Sequence, residues 1–163
     1  MFKLYLKVSD GKLGQGVYSS VQIPAGKSIM EMSGPVLLDR DIVVEDYSAY
    51  WQIGPNTYLG LSGGVEDHLN HHCNPNTYLH VVGNRAILYS LYVIQPNMEL
   101  TIDYSLTSTD FRHTWEMVCQ CGSNQCRKII SGHHYLSSDM KEEYEHKGML
   151  PLYVLEPGMI SKR

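Results

Sequence analysis

A chain of 163 residues has the length of one compact domain, large enough to bury a core without a framework of disulfides. Thirteen basic against seventeen acidic residues give a formal net charge of -4, which excludes the basic field that holds nucleic acid by counterion release and better suits a lysine-rich partner. With 43% hydrophobic and 18% charged residues the composition is that of a folded protein, and twelve Tyr against two Phe lean toward β-structure and polar-tipped aromatics.

Apolar residues alternate from Phe2 to Val8, which predicts a first strand rather than a signal-peptide core, and no run approaches the length of a membrane span. The expected setting is intracellular, cytoplasmic or nuclear, where the four Cys are reduced or metal-bound. To about residue 60, short runs rich in Val, Ile and Tyr are cut by Asp10-Gly11, Gly14-Gln15-Gly16, Pro24-Ala25-Gly26, Ser33-Gly34-Pro35 and Gly54-Pro55-Asn56, a pattern of strands and turns. From Leu61 to Asn76 the rhythm breaks: Ser62-Gly63-Gly64, one helical turn over Val65 to Leu69, then Asn70-His71-His72-Cys73-Asn74-Pro75-Asn76, which reads as a site-bearing loop. Strands return at Thr77 to Val82 and Ala86 to Tyr89, joined by Gly83-Asn84 as a hairpin, and Glu99 to Tyr104 forms a last strand. A polar stretch from Ser105 to Ile130 follows, and Ser137-Ser138-Asp139 caps a helix over Met140 to Lys147 that ends at Gly148. Leu136, Leu150, Leu152, Tyr153 and Leu155 predict that the tail packs on this domain or on a second copy.

Cys119, Cys121 and Cys126 form C-x-C-x4-C, one ligand short of a tetrahedral zinc site. Cys73 is the one remaining thiol, and an all-thiolate site would clamp the tail onto the Asn70 to Asn76 motif. His71, His72 or the pair His133-His134 could supply the fourth ligand instead, and four unconnected buried thiols are the plain alternative. A Cys73/His71 nucleophilic pair competes for the same thiol. Gly14-Gln15-Gly16 fails as a dinucleotide loop, because Ser19 stands where a third glycine is needed and Val17 to Ile23 reads as strand rather than helix.

Taken in order, Gly14-Gln15-Gly16-Val17-Tyr18, Ile23-Pro24-Ala25-Gly26, Glu31-Met32-Ser33-Gly34, Asn70 to Asn76, Glu99-Leu100-Thr101-Ile102-Asp103-Tyr104 and the C-x-C-x4-C cluster resemble the SET-domain protein lysine methyltransferases. The likeness extends to compact members without a long N-terminal extension, including bacterial and viral-sized ones. It implies a mainly β fold with short helices: several small antiparallel sheets, a knot-like C-terminal segment and a zinc-bound post-SET region. The implied division is a SET domain over 2–104, a post-SET segment over 105–130 and an extension over 131–163. Two positions depart from the family pattern. His72 stands where a small residue is usual, and Ile102 where many members carry Tyr or Phe.

The resemblance also implies S-adenosylmethionine as cofactor, held by Gly14, Gln15, Gly16, Val17, Asn70, His71, Tyr104 and Trp115, with Phe111 the other candidate for the aromatic cover. Zinc would sit on Cys73, Cys119, Cys121 and Cys126. Tyr104 would be the catalytic group, and Tyr50 and Ile102 would line the substrate channel, with Trp51 and Tyr58 as further groove candidates. Ile102, lacking a hydroxyl, implies an enzyme not limited to monomethylation. Methyl transfer from a sulfonium is an in-line displacement, so the protein must align a neutral amine in a dry channel rather than supply a strong base. The expected substrate is a lysine-rich protein or peptide, above all a histone tail, with no direct nucleic-acid or membrane binding, in a monomer or homodimer. A non-histone target and a non-catalytic peptide-binding module are the alternatives.

Overall fold

A computed structural model describes residues 1–42, 50–108 and 115–155. The chain opens with a single tight turn, Lys3–Tyr5, before β1 (Leu6–Gly11) and β2 (Gly14–Ser19). The strand expected from Phe2 therefore starts later. The Phe2 N–H donates to the Ile29 carbonyl at 2.7 Å and the Tyr5 N–H returns to the Phe2 carbonyl at 2.8 Å, which closes the turn and leaves Leu4 95% exposed.

Then come β3 (Ser28–Glu31), β4 (Val36–Leu38), β5 (Trp51–Gly54), β6 (Thr57–Leu59), the two-residue β7 (Asn70–His71), β8 (Thr77–Val82), β9 (Arg85–Ser90) and β10 (Glu99–Ile102). Beyond them lie β11 (Glu116–Val118), β12 (Ile129–Ser131), α1 (Ser138–His146) and α2 (Leu152–Leu155). The strands build small sheets in the orders β1-β2-β10-β7, β3-β9-β8, β4-β6-β5 and β11-β12.

Local chemistry explains several of these. The β8–β9 hairpin pairs Val82 with Arg85 across Gly83-Asn84, and Gly83 takes φ +59°, a value only a residue without Cβ adopts readily. The Ser137 hydroxyl accepts from the Met140 N–H at 3.3 Å, capping α1, and Gly148 (φ +65°) ends it. β11 and β12 lie inside the stretch that reads as merely polar. All three residues of β11 are exposed, so no inside-outside alternation marked it.

The main core gathers Val17, Ile29, Met30, Leu69, Leu88, Ile94, Leu100 and Ile102 with others between the first three sheets. Burying each such side chain contributes roughly 1.5–3 kcal/mol. Tyr153 of α2 joins it and donates to the Gln52 carbonyl at 2.8 Å, while Leu106, Leu136, Tyr144, Met149 and Leu150 form a second cluster. The described part of the tail thus packs on this chain. Among the described residues, no helix is long and apolar enough to cross a membrane.

Candidate active site

The site grows from β7, which runs parallel to β10 with Asn70 opposite Thr101 and His71 opposite Ile102. Asn76, at the end of the same loop, completes the pairing with its side chain. Its amide donates to the Glu99 carbonyl at 2.7 Å and accepts from the Thr101 N–H at 2.9 Å. The Asn70 amide donates to the Gln15 carbonyl (3.0 Å) and to the Glu99 carboxylate (2.7 Å), tying β7 to both β2 and β10. Gly16 lies directly beneath. A Cβ there would meet the end of the Glu99 carboxylate and stand 3.0 Å from Asn70 Nδ2, so a larger residue would push both side chains out of their present bond.

His71 is buried, and burial above all pulls its imidazole down to about 4, so the ring is neutral near pH 7. Its Nδ1 accepts the Tyr104 N–H at 3.2 Å, which assigns the ring proton to Nε2, 3.3 Å from Cys73 Sγ. Nδ1 is 3.5 Å from Asp103 Oδ1, but a neutral ring makes no ion pair with it. The ring therefore supports Tyr104 on one side and a cysteine sulfur on the other. Tyr104 donates its hydroxyl to the Leu69 carbonyl at 2.7 Å and packs edge-on against Trp51, centroids 5.9 Å apart. Burial, with the Glu99 charge second, pushes its phenol up to about 12, so it stays protonated.

The sulfur atoms of Cys73, Cys119, Cys121 and Cys126 all lie within 4.8 Å of one another, and Cys73 and Cys119 are 3.7 Å apart. A zinc ion bonded to four thiolates at about 2.3 Å sets sulfur-sulfur edges of about 3.8 Å, so the donor set fits zinc in kind and size. Burial raises the Cys73 and Cys119 thiols. Cys121 falls to about 6, since backbone and thiol hydrogen bonds outweigh its burial. The cluster already favours one thiolate, and a metal would hold the others deprotonated. Ile130 and Trp115 pack around it.

Two clefts meet at Asn70, His71 and Cys121. One of about 440 Å³ runs past Lys12, Leu13, Asn70, His71 and Glu99; a second of about 240 Å³ lies between Leu13, His71, Tyr104 and the segment Met117 to Cys121. The larger one is in the size range of small-molecule sites.

Residues 14–105, more than half of the chain, match the SET domain. The chain belongs to the SET-domain family. Trithorax of Drosophila virilis, named a histone-lysine N-methyltransferase, is 28% identical over 134 residues, covering 72% of this chain and 3% of that protein. Human histone-lysine N-methyltransferase 2B is 26% identical over 134 residues, covering 72% of the chain and 5% of the relative. The chain thus spans only a small part of these curated relatives. Crystal structures of KRYPTONITE align with it, one with mCHG DNA and SAH at TM-score 0.64 and 27% identity, covering 76% of this chain and 28% of that one. Another, with mCHH DNA, an H3(1-15) peptide and SAH, aligns at 0.62 and 26%, covering 76% and 29%.

Of the site residues expected from sequence, this SET domain brings Asn70, His71 and Tyr104 onto cleft walls and gathers the four cysteines. Val17 and Ile102 are fully enclosed in the main core, because the strand alternation of β2 and β10 turns them away from the clefts. Gly14, Gln15 and Gly16 pass beside the site without lining either cleft. The walls there come from Lys12 and Leu13, in the turn just before. Trp115 packs on the cysteine cluster, Tyr50 is half-buried just before β5, and Tyr58 is enclosed on β6. Phe111 lies outside the described residues. The sequence motif gives the Glu99 carboxylate no partner; the fold sets it on the larger cleft and against the Asn70 amide. Asp103 likewise has no partner legible in the motif, because Arg127 and Tyr144 stand far along the chain.

Proposed function

We propose that this SET protein is a protein-lysine N-methyltransferase that takes a methyl group from S-adenosylmethionine and delivers it to a lysine of a basic protein, a histone tail above others. The supporting observation is the meeting of the two clefts at Asn70 and His71, with Tyr104 on the wall of the smaller one. The names of the relatives and the SAH and H3 peptide in structural neighbours point the same way. When bound, S-adenosylmethionine supplies an electrophilic methyl on a positive sulfonium.

In this reading Asn70, His71 and the Lys12-Leu13 turn hold the cofactor, with the backbone of Gly14 to Gly16 beside it and Val17 anchoring that strand in the core, while Trp115 and the cysteine segment close over it. Zinc on the four cysteines keeps that cover in place. The unit over 2–104 carries the cleft, 105–130 the cover and 131–163 a brace. Tyr104, a phenol near 12, is a poor base at neutral pH, and its work is to orient the amine. A free lysine titrates at about 10.4, and desolvation in a narrow channel beside a positive sulfonium lowers that enough to free the neutral amine. The deciding experiment incubates the protein with methyl-labelled S-adenosylmethionine and mixed histones, or a lysate of basic proteins, and locates the label by mass spectrometry. Label on histone lysine is the expected result. Label confined to other proteins moves the substrate and keeps the reaction. No transfer, together with no cofactor binding by calorimetry, rejects the reading.

A further inference from the structure

Asp103 stands immediately before Tyr104 and has no solvent exposure. A buried carboxylate must find donors, and it collects them from separate parts of the chain. Arg127, one residue past the cysteine cluster, donates to Oδ1 at 2.6 Å; Tyr144 of α1 donates to Oδ2 at 2.7 Å; and the Ser105 N–H donates to Oδ1 at 3.0 Å. The last bond caps the turn Tyr104–Leu106, so the carboxylate fixes the backbone that carries the Tyr104 ring. The N–H of that same residue is held by His71. Arg127 leaves Nε and Nη1 without a partner among the described residues, so the Asp103 contact is its anchor. Tyr144 is itself buried in the second cluster beside Leu106, and burial, then the Asp103 charge, raises its phenol and keeps it a donor.

We infer that Tyr144 is a positioning residue for the reaction. Through its hydroxyl on Asp103, the C-terminal helix α1 sets the turn that aims Tyr104. The extension is then part of the active site's framework, although it touches neither of the two clefts at Asn70 and His71. This inference rests on the methyltransferase reading only for its catalytic consequence; its structural content stands apart.

Tyr144→Phe removes the hydroxyl and keeps the ring in its cluster. Leu150→Ala loosens the same cluster and leaves the hydroxyl bond, so it separates positioning from packing. Amide hydrogen exchange at Tyr104 and Ser105 reads the turn directly, and transfer kinetics read its use. In Tyr144→Phe, exchange at those two amides is expected to quicken by about tenfold or more, the loss of one hydrogen bond to a charged group. In the same variant kcat falls about 10- to 100-fold with KM for the peptide little changed, the signature of a misaimed group rather than lost binding. Leu150→Ala lowers the melting temperature but keeps wild-type exchange at Tyr104 and Ser105. Unchanged exchange at the two amides in Tyr144→Phe overturns the inference, as does an equal acceleration in Leu150→Ala. If the wild type transfers no methyl group, the functional reading fails while the exchange data still decide the role of Tyr144.

Discussion

The sheet that carries Asn70 and the segment that carries the last three cysteines are held together by opposite means. β2, β7 and β10 are knitted by backbone ladders, by the amides of Asn70 and Asn76, and by a core in which Val17, Leu100 and Ile102 have no exposure. The segment from Glu116 to Ser131 has one short two-stranded pairing, exposed Met117, Val118 and Ile129, and three sulfurs drawn to the point where Cys73 stands. Apolar burial suffices for the first. The second has little apolar surface to bury beyond Ile130, and apart from the Arg127–Asp103 pair its order depends on whatever bonds the thiols. A cleft walled by both regions is therefore rigid on one face and conditional on the other.

That contrast breaks most visibly when metal is removed. Structural zinc contributes on the order of 10 kcal/mol to the segment it orders. A strong chelator should therefore release the Glu116 to Ser131 segment, with rapid hydrogen exchange there, loss of methyl transfer and a red shift of Trp115 emission in a Trp51→Phe background. Exchange in β8 and β9 should stay slow. Simultaneous loss of protection in both regions would mean that they form a single cooperative unit after all. The converse perturbation is Leu100→Ala, which empties a site with 0% exposure opposite Val17 and should destabilise the domain by about 2–5 kcal/mol in urea denaturation. Metal content of the folded protein, measured by atomic absorption, should remain at one zinc per chain.

The same contrast governs what could be read before any coordinates. The β8–β9 hairpin, the capped helix α1 and the start of the strand expected over Glu99 to Tyr104 are written in short-range chemistry: Gly83-Asn84, Ser137 with Gly148, and an apolar run; that strand ends at Ile102, because Asp103 caps a turn over Tyr104–Leu106. The cysteine set was legible because thiols are few and their spacing tight. Residues whose roles depend on distant partners were not. Asp103 pairs across 24 residues with Arg127 and 41 with Tyr144, and neither separation leaves a periodic trace. Lys12 and Leu13 wall the clefts in place of the glycines beside them, since a turn residue's aim is set by tertiary packing and leaves no mark in the motif. Val17 and Ile102 sit in motifs next to the site while their side chains face the core, a distinction of strand face that motif matching does not make.

A change inside the rigid face that keeps its packing should affect chemistry alone. Tyr104→Phe deletes the hydroxyl that donates to the Leu69 carbonyl and keeps the ring against Trp51. Transfer should fall about 100-fold, equivalent to roughly 2.7 kcal/mol of transition-state stabilisation, with S-adenosylmethionine affinity by calorimetry within about twofold of wild type. A comparable loss of cofactor affinity would assign the hydroxyl to binding instead.

The smallest effect is expected where the two regions join, at His72, the position that departs from the family pattern. Its neighbour His71 is buried between Tyr104 and Cys73, while His72 is half-buried on the wall of the larger cleft with its ring against the backbone of Asn74. Nδ1 lies 2.7 Å from the Asn74 carbonyl and 3.1 Å from the Asn74 N–H, donating to the first in one tautomer or accepting from the second in the other. This is a local turn, of the kind a serine hydroxyl also closes by accepting the N–H two residues on. The backbone that matters for β7 is independent of the ring, because the His72 N–H donates to the Ile102 carbonyl at 3.0 Å. His72→Ser should therefore change stability by less than about 0.5 kcal/mol and leave zinc content and transfer rate near wild type. Loss of zinc from that variant would show that the loop holding Cys73 depends on the imidazole, and would move His72 from the rigid face to the conditional one.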